Sequence, residues 1–244
     1  MRIKKTLLAA ALGAGLLSAA SAHAALTLSV DGNTVYDTDL NLTWLANANL
    51  AASNTFGVSG ITAFGLSAGR MNWYTAQNWI GAMNAANYLG FNDWRLPTVT
   101  DTGTPGCNFG YNGTDCGYNV NTATGEMAHL WYDELGNIPY YNTAGAGGQS
   151  GWGLTNTGPF SNVPSGLYWS GTEYAPNTSH AWYFLTNNGN QYALNKSNGM
   201  FAWAVRPGQV AAVSAVPEPE AVAMLLAGLG LLGFTARRRR LGLR

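Results

Sequence analysis

The stretch formed by residues 92–98, Asn-Asp-Trp-Arg-Leu-Pro-Thr, limits the fold more than any other part of the chain. It follows residues 73–89, in which apolar residues recur at intervals of three and four and predict an amphipathic helix. Asn72 is a suitable N-cap, and Gly90 suits the left-handed residue just past a helix C-terminus. The predicted apolar face consists of Ala76, Trp79, Ile80 and Met83. Because Pro97 ends the extended run that follows, the stretch is predicted to join a helix to a short buried strand.

Further elements are predicted on both sides of residues 92–98, which we call the hinge. Alternating apolar residues indicate short strands in 26–30, 35–36 and 42–45. A second helix is predicted from Gly125 to Leu135, with Thr124 as its cap and Glu126 in the first turn, where the helix dipole favours an acid.

A β-meander is predicted after residue 166. Strand-like runs occupy 167–170, 181–185 and 191–194, and Asn188-Gly189 is typical of a two-residue hairpin turn. A final strand is predicted in 200–205. Residues 46–70, 99–123 and 137–166 are rich in small polar residues and are interpreted as loops.

The N-terminus is typical of a secretory signal peptide. Arg2, Lys4 and Lys5 precede an apolar run, and a small-residue site predicts cleavage between Ala24 and Ala25. Residues 1–24 are therefore assigned to the signal and 25–208 to the folded domain. A retained N-terminal anchor is the alternative.

The C-terminus is predicted to anchor the chain. A linker, 209–216, leads to an uncharged apolar run of sixteen residues, 221–236, followed by four arginines. The run is short of the about 20 residues that span a bilayer, but arginines can snorkel to the membrane surface. They should stay cytoplasmic, which places the domain outside. A buried soluble helix is the alternative.

The charge of the mature domain excludes one class of partner. Between Ala25 and Val216 there are four basic and ten acidic residues, a net charge of −6. The basic footprint of a nucleic-acid-binding protein is therefore lacking.

The cysteine pair is predicted to form a disulfide. Cys107 and Cys116 lie in one loop rich in glycine, asparagine and threonine, and export would place them in an oxidising compartment. A metal or redox role is the alternative, although two thiols without a nearby histidine do not complete a zinc site.

The C-terminal tail resembles a PEP-CTERM sorting signal. Pro217, Glu218 and Pro219 are followed by the apolar run and the arginines, so 217–240 have the three-part arrangement of that signal. The resemblance implies an exported protein of an exopolysaccharide-producing bacterium that is processed by an exosortase. It would be held transiently in the inner membrane by its C-terminal helix, and then reach the cell surface or matrix.

The folded part resembles the Lcl C-terminal domain family, long described as a domain of unknown function. The matching segments are 34–44, 92–98, 168–173, 181–184 and 204–207, with Thr100-Asp101 departing from the family pattern. The resemblance implies an α+β, C-type-lectin-like domain with two helices, short and mostly antiparallel strands, and long loops. The motif residues carried over are Asp93, Trp94, Arg95, Leu96, Pro97, Trp169, Glu173 and Arg206.

Arg95 and Arg206 are half of the basic residues in the domain, and both lie on extended runs. A buried guanidinium needs a carboxylate partner, for which Asp93, Glu173 and Asp37 are candidates. Structural ion pairing and ligand contact both remain open for these arginines.

Two further candidate sites follow from the residues. Asp37, Asp39 and Asn41 alternate like the oxygen ligands of a calcium loop, but the turn glycine and the bidentate acid of an EF-hand are missing, so only a looser calcium site is considered. Trp152, in a glycine-rich loop, is the best candidate for an exposed ring that stacks on a sugar, although a core position is the alternative.

The expected function is that of a non-enzymatic surface or matrix protein associated with exopolysaccharide, which could bind a glycan and needs no cofactor. The predicted partners are an exosortase, signal peptidase with the general secretion machinery, and the exopolysaccharide. A structural envelope or matrix protein that acts through protein contacts is the alternative. A remote alternative, implied by the lectin-like resemblance, is an oxidase-like enzyme that uses Cys107 and Cys116. Nucleophilic catalysis is not indicated, because no serine or cysteine lies in a recognisable nucleophile context.

Overall fold

The computed structural model describes residues 26–101, 111 and 113–209. The cleavage site at Ala24 and Ala25 and the motif Pro217-Glu218-Pro219 lie outside the described residues, as does the apolar run 221–236. These assignments therefore stay predictions. Among the helices that the structure describes, none has the length and apolarity needed to cross a membrane.

Four strands form a first, antiparallel sheet in the order β1-β2-β3-β7. The strands are β1 (Thr27–Leu28), β2 (Thr34–Asp37), β3 (Leu42–Leu45) and β7 (Val205–Pro207). The sheet brings the two ends of the domain together, because β3 pairs with β7 through Trp44 and Val205.

The predicted meander forms a second antiparallel sheet in the order β4-β5-β6. Its strands are β4 (Leu167–Glu173), β5 (His180–Leu185) and β6 (Asn190–Asn195). The hairpin between β5 and β6 is longer than predicted: Leu185 pairs with Asn190, so four residues rather than two form the loop. Thr186 belongs to this loop because its hydroxyl donates to the carbonyls of Pro164 and Gly166 instead of continuing the ladder.

Helix α1 (Trp73–Ala85) begins and packs as predicted. The side chain of Asn72 accepts a hydrogen bond from the backbone N–H of Thr75 at 2.8 Å, and the whole predicted apolar face is buried. The helix ends four residues earlier than predicted. Asn87 and Leu89 have left-handed φ values of 50° and 56°, which a continuing helix does not allow, so residues 88–90 form a separate turn.

The second helix is irregular. Helix α2 (Glu126–His129) begins after Gly125, which takes the place of the predicted cap Thr124 because Thr124 belongs to a preceding 3₁₀ turn. It continues as a π-helical turn, Leu130–Glu134, in which the N–H of Leu135 bonds to the carbonyl of Leu130.

The hinge is added to the first sheet as a single bridge rather than a full strand. Arg95 and Val205 exchange two backbone hydrogen bonds, at 2.8 and 2.9 Å, on the side of β7 opposite β3. The amide of Asn84, on α1, completes the hinge: it donates to the carbonyl of Trp94 and accepts from its N–H. Residues 200–204, predicted as strand, instead make isolated bridges, Met200 to Met71 before α1 and Phe201 to Tyr168 in β4.

Tryptophans fill the core between the sheets and helices. Six of them are less than 2% exposed: Trp44, Trp79, Trp131, Trp169, Trp182 and Trp203. Most buried indoles donate their N–H to a backbone carbonyl of a distant segment, as Trp169 does to Met71 at 3.0 Å and Trp203 to Leu45 at 2.8 Å. Buried indole N–H groups usually have such a partner, and here the bonds connect loops to the core that the rings fill. The two helices and two antiparallel sheets confirm the α+β class.

Candidate functional site

Trp152 lies on the surface, as predicted, with 40% of its area exposed. It is one end of a connected group of partly exposed rings, which we call the aromatic surface: Tyr111, Tyr118, Tyr140, Tyr141 and Trp152.

The rings of the aromatic surface contact one another mostly edge to face. The centroids of Trp152 and Tyr140 are 4.9 Å apart, those of Tyr140 and Tyr141 4.8 Å, and those of Tyr141 and Tyr118 4.9 Å. Tyr111 lies 5.1 Å from Tyr141. Edge-to-face pairs alternate ring orientation, so the surface offers both ring faces and ring edges to a ligand.

Asparagines from two loops, Asn119 and Asn188, hold the tyrosines in place. The amide of Asn119 donates to the carbonyl of Tyr141 at 2.9 Å. Asn188, in the β5–β6 loop, accepts from the N–H of Tyr140 through its carbonyl and donates from its side chain to the hydroxyl of Tyr118. The aromatic surface is therefore fixed to the second sheet.

Glycines let the loop after Tyr141 lie against the rings. A Cβ on Gly147 would come within 2.6 Å of Tyr140 and 2.7 Å of Tyr141, and one on Gly145 within 2.8 Å of Tyr111. These separations are shorter than carbon–carbon contact distances, so the close packing requires glycine at both positions.

The loop that carries Tyr140, Tyr141 and Trp152 is uncharged. There is no acidic, basic or histidine residue from Leu135 to Thr172, which includes Tyr140, Tyr141 and Trp152. Burial, and then the neighbouring tyrosines, raise the pKa of Tyr118 above its usual value, so its hydroxyl stays neutral at physiological pH. A neutral aromatic surface with amides and hydroxyls suits an uncharged ligand that has both C–H faces and hydroxyl groups.

The predicted motif residues mostly hold the fold together. Trp94, Leu96 and Trp169 are buried. The carbonyl of Pro97 accepts from the hydroxyl of Ser170 at 2.9 Å and from the N–H of Gly171 at 2.8 Å, which fixes the hinge against β4.

The two motif arginines make different ion pairs. Arg206 donates twice to Asp93, at 2.8 and 3.0 Å, and its guanidinium lies 4.0 Å from the ring centre of Phe91. Arg95 instead donates twice to Glu126, both at 2.7 Å, although Glu126 was predicted only as a residue of the first helical turn.

Glu173 pairs with Lys196. The ammonium of Lys196 also donates to the carbonyl of Thr178 at 2.7 Å and lies 4.4 Å from the ring centre of Trp73, and the residue is only 3% exposed. A buried lysine so enclosed has its donors engaged within the fold, so this ion pair supports β6 and α1.

The three calcium candidates, Asp37, Asp39 and Asn41, differ in their hydrogen bonds and in their burial. Oδ1 of Asp37 accepts the backbone N–H groups of Asp39 and Leu40, and Asn41 accepts the hydroxyl of Tyr36 at 2.9 Å. Asp39 is exposed, while Asp37 is fully buried and faces the second helix. Asp37 alone of the three thus lies where several potential ligands meet.

Of the two cysteines predicted to form a disulfide, only Cys116 is among the described residues. Cys116 is buried against Val99 and Trp182. Cys107 lies outside the described residues, so the disulfide stays a prediction.

The sequence had pointed to Trp152 but not to the tyrosines that join it. The doublet Tyr140-Tyr141 in an uncharged loop is the signal that could have found two of them. Tyr111 and Tyr118 come from the cysteine loop, and nothing in their local sequence places them beside the other rings.

Comparison with known families confirms both resemblances. The Lcl C-terminal domain matches residues 33–104, whereas the segments that carry the resemblance extend from 34 to 207. The PEP-CTERM protein-sorting motif matches residues 215–240. A comparison with curated proteins finds no match. The sorting motif implies that an exosortase processes the protein. It also implies that the protein is anchored transiently in the membrane and then exported to the cell surface. The chain thus matches the Lcl C-terminal domain over residues 33–104 and carries the sorting motif of an exosortase substrate at residues 215–240.

Proposed function

We propose that the protein is a non-enzymatic surface or matrix protein that binds a glycan, the exopolysaccharide of the producing cell, through the aromatic surface. The observation that carries this proposal is the unbroken ring contact from the exposed Trp152 to Tyr140 and the further tyrosines. The sorting motif supports it, because it directs the domain to where such a polymer would be.

The chemistry of the aromatic surface favours a sugar ring. The C–H face of a pyranose packs on an aromatic face, and neighbouring hydroxyls can bond to tyrosine hydroxyls and asparagine amides. One aromatic contact contributes about 0.5–1.5 kcal/mol beyond its buried area. A single sugar would therefore bind weakly, and a polymer that covers several rings, or several copies of the protein, would bind more tightly.

The same proposal includes a C-type-lectin-like arrangement, supported by two helices, two small antiparallel sheets and long loops. Binding through aromatic rings needs no cofactor. Adding a calcium chelator to the binding assay would leave the affinity unchanged, whereas a loss of binding would restore the calcium site considered for Asp37, Asp39 and Asn41.

The test compares two exposed aromatic residues. Isothermal titration with the producer's own polysaccharide should give an affinity that falls at least about fivefold in Trp152→Ala, the loss of about one stacking contact. Phe64→Ala is the matched control, because Phe64 is 87% exposed and lies in another loop. Absence of binding by the wild-type protein, or an equal loss in both variants, would contradict the proposal.

Export is the second part of the proposal. We infer that the general secretion machinery exports the chain, that signal peptidase cuts between Ala24 and Ala25, and that the exosortase recognises Pro217-Glu218-Pro219. Fractionation of the producing cells should find wild-type protein shortened and at the surface, and the triple-alanine variant full-length in the membrane. Equal behaviour of both chains would make the tail a plain anchor.

One observation favours the alternative of a structural protein that acts through protein contacts. Phe64 and Leu66 flank Gly65 on one loop and are 87% and 102% exposed. Exposed large apolar residues of this kind can form a protein interface. Sedimentation at micromolar concentration should then show self-association that Leu66→Ser abolishes, whereas a monomer would exclude association through this loop.

A further inference from the structure

Three potential metal ligands meet between the first sheet and the second helix. Asp37 is the last residue of β2, His129 the last of α2, and Glu134 the last of the π-helical turn. One ligand atom from each lies within 4.8 Å of the others. We call these residues the acid–histidine cluster. Its members are buried: the side chains of Asp37, His129 and Glu134 are 0%, 11% and 2% exposed.

The π-helical turn is what brings two of these side chains together. His129 and Glu134 are five positions apart, which in a regular α-helix would place them about 140° apart around the axis. The wider turn, closed by the Leu135-to-Leu130 hydrogen bond at 3.0 Å, reduces this angle and lets Oε1 of Glu134 lie 3.2 Å from Nε2 of His129. Such turns are rare and occur frequently at functional sites.

Two carboxylate oxygens in the cluster have no hydrogen-bond partner within the part of the chain that the structure describes. They are Oδ2 of Asp37 and Oε2 of Glu134, both buried. Oδ1 of Asp37 is engaged by the N–H groups of Asp39 and Leu40, which fixes the carboxylate with Oδ2 towards His129. A buried carboxylate oxygen without a partner is costly, so the arrangement is explained if a cation binds there.

The imidazole is oriented as a metal ligand would be. Nδ1 of His129 lies 3.2 Å from Oδ2 of Asp133, one turn further along the helix, which leaves Nε2 facing Asp37 and Glu134. A carboxylate that accepts the Nδ1 proton of a histidine fixes the tautomer whose Nε2 can bind a metal. Without a metal, one imidazole would face three carboxylates.

The geometry points to a divalent transition-metal ion of the zinc type, bound by Asp37, His129 and Glu134. Asp133 orients the imidazole of His129 for this role. Two ligand atoms about 2.1 Å from a tetrahedral zinc lie about 3.4 Å apart. The Nε2 separations of 3.8 Å from Asp37 and 3.2 Å from Glu134 fall on either side of this value. Calcium fits less well, because it takes about six to eight oxygen ligands at longer distances.

The test is zinc binding by protein purified from cells that express the full chain, without a polyhistidine tag and after dialysis against a chelator. Titration with Zn²⁺ should show one site, and the melting temperature should rise by about 5–10 °C at a free zinc concentration of 100 times Kd. Ca²⁺ at the same concentration should leave the melting temperature unchanged. Absence of zinc binding, or an equal response to calcium, would overturn the inference.

Two variants locate the site. Glu134→Gln should weaken zinc binding at least about tenfold, and Asp133→Asn, which changes only the orienting carboxylate, about tenfold. Because Glu134→Gln removes a buried like charge, its metal-free melting temperature should not fall, which separates loss of the site from loss of the fold. His180→Gln is the matched control and should leave zinc binding unchanged, since His180 is the other histidine of the mature domain and bonds to Ser179. Zinc binding that resists Glu134→Gln would place the metal elsewhere and overturn the inference.

Discussion

Glu126→Gln should destabilise the domain clearly, because Glu126 joins the hinge to the second helix. Its carboxylate accepts two hydrogen bonds from Arg95, both at 2.7 Å, and a third from the backbone N–H of Thr98 at 2.8 Å. Glutamine keeps the size but removes the charge and turns one acceptor into a donor that faces the guanidinium.

The expected magnitude follows from burial. Hydrogen bonds to a charged group contribute about 1.5–3 kcal/mol when buried, and much less when solvent screens them. The side chains of Glu126 and Arg95 are 17% and 35% exposed, so we expect a loss of about 2 kcal/mol in the free energy of unfolding.

The matched control is Asp93→Asn, which changes the other bidentate pair. Asp93 is 40% exposed, and Arg206 keeps its contact with the ring of Phe91, so the expected loss is about 1 kcal/mol or less. Urea unfolding followed by tryptophan fluorescence measures both values, with an unchanged m-value as the test of a pure stability effect. If Asp93→Asn were the more destabilising change, or Glu126→Gln were neutral, the reasoning from burial would be refuted.

Three further predictions test the hinge, the aromatic surface and a buried phenol. Asn84→Ala removes both hydrogen bonds to Trp94 and should cost about 2 kcal/mol in urea unfolding, while Asn84→Asp, which keeps one acceptor, should cost less. Gly147→Ala should displace the ring of Tyr141 and weaken polysaccharide binding in titration, while the melting temperature changes by only a few degrees; unchanged affinity would contradict the packing argument. Burial raises the pKa of Tyr183 to about 12, so the unfolded chain loses this proton first and stability should fall as pH rises from about 10 to 12. Tyr183→Phe should reduce that fall in melting temperature.

Local patterns predicted the elements that local forces determine. The apolar face of α1, its Asn72 cap and the three strands of the meander all follow from spacing and capping, and the structure has them. The end of α1 was predicted too late. Nothing in the sequence marks Asn87 and Leu89 as left-handed residues, whereas Gly90 is typical of the residue just past a helix C-terminus and so indicated a later end.

Contacts between distant segments were beyond such patterns. Arg95 pairs with an acid 31 positions away, and the sequence offered Asp93 only two positions away, so Glu126 was not singled out as its partner. The acid–histidine cluster was missed for a related reason. A five-residue spacing between His129 and Glu134 does not place two side chains on one face of a regular helix, and only the π-helical turn brings them together.

The aromatic surface lies between these cases. An exposed Trp152 followed from its glycine-rich surroundings, and the structure places it on the surface. Its extension to Tyr118 depends on Asn188, which the sequence suggested only as a turn residue. The local pattern therefore predicted one ring, and the fold assembled the rest.

Most indole N–H groups in and around the core donate to main-chain carbonyls, and this has a consequence for how the domain can change over evolution. Trp79 donates to the carbonyl of Asn54, Trp131 to that of Thr186, and Trp73 to that of Ser170. Every residue type carries that acceptor, so the side chains at the anchored positions are free to vary while the anchor itself is kept. Loops fastened in this way can exchange their surface chemistry without loosening the scaffold, which would let one framework adapt to chemically different polymers.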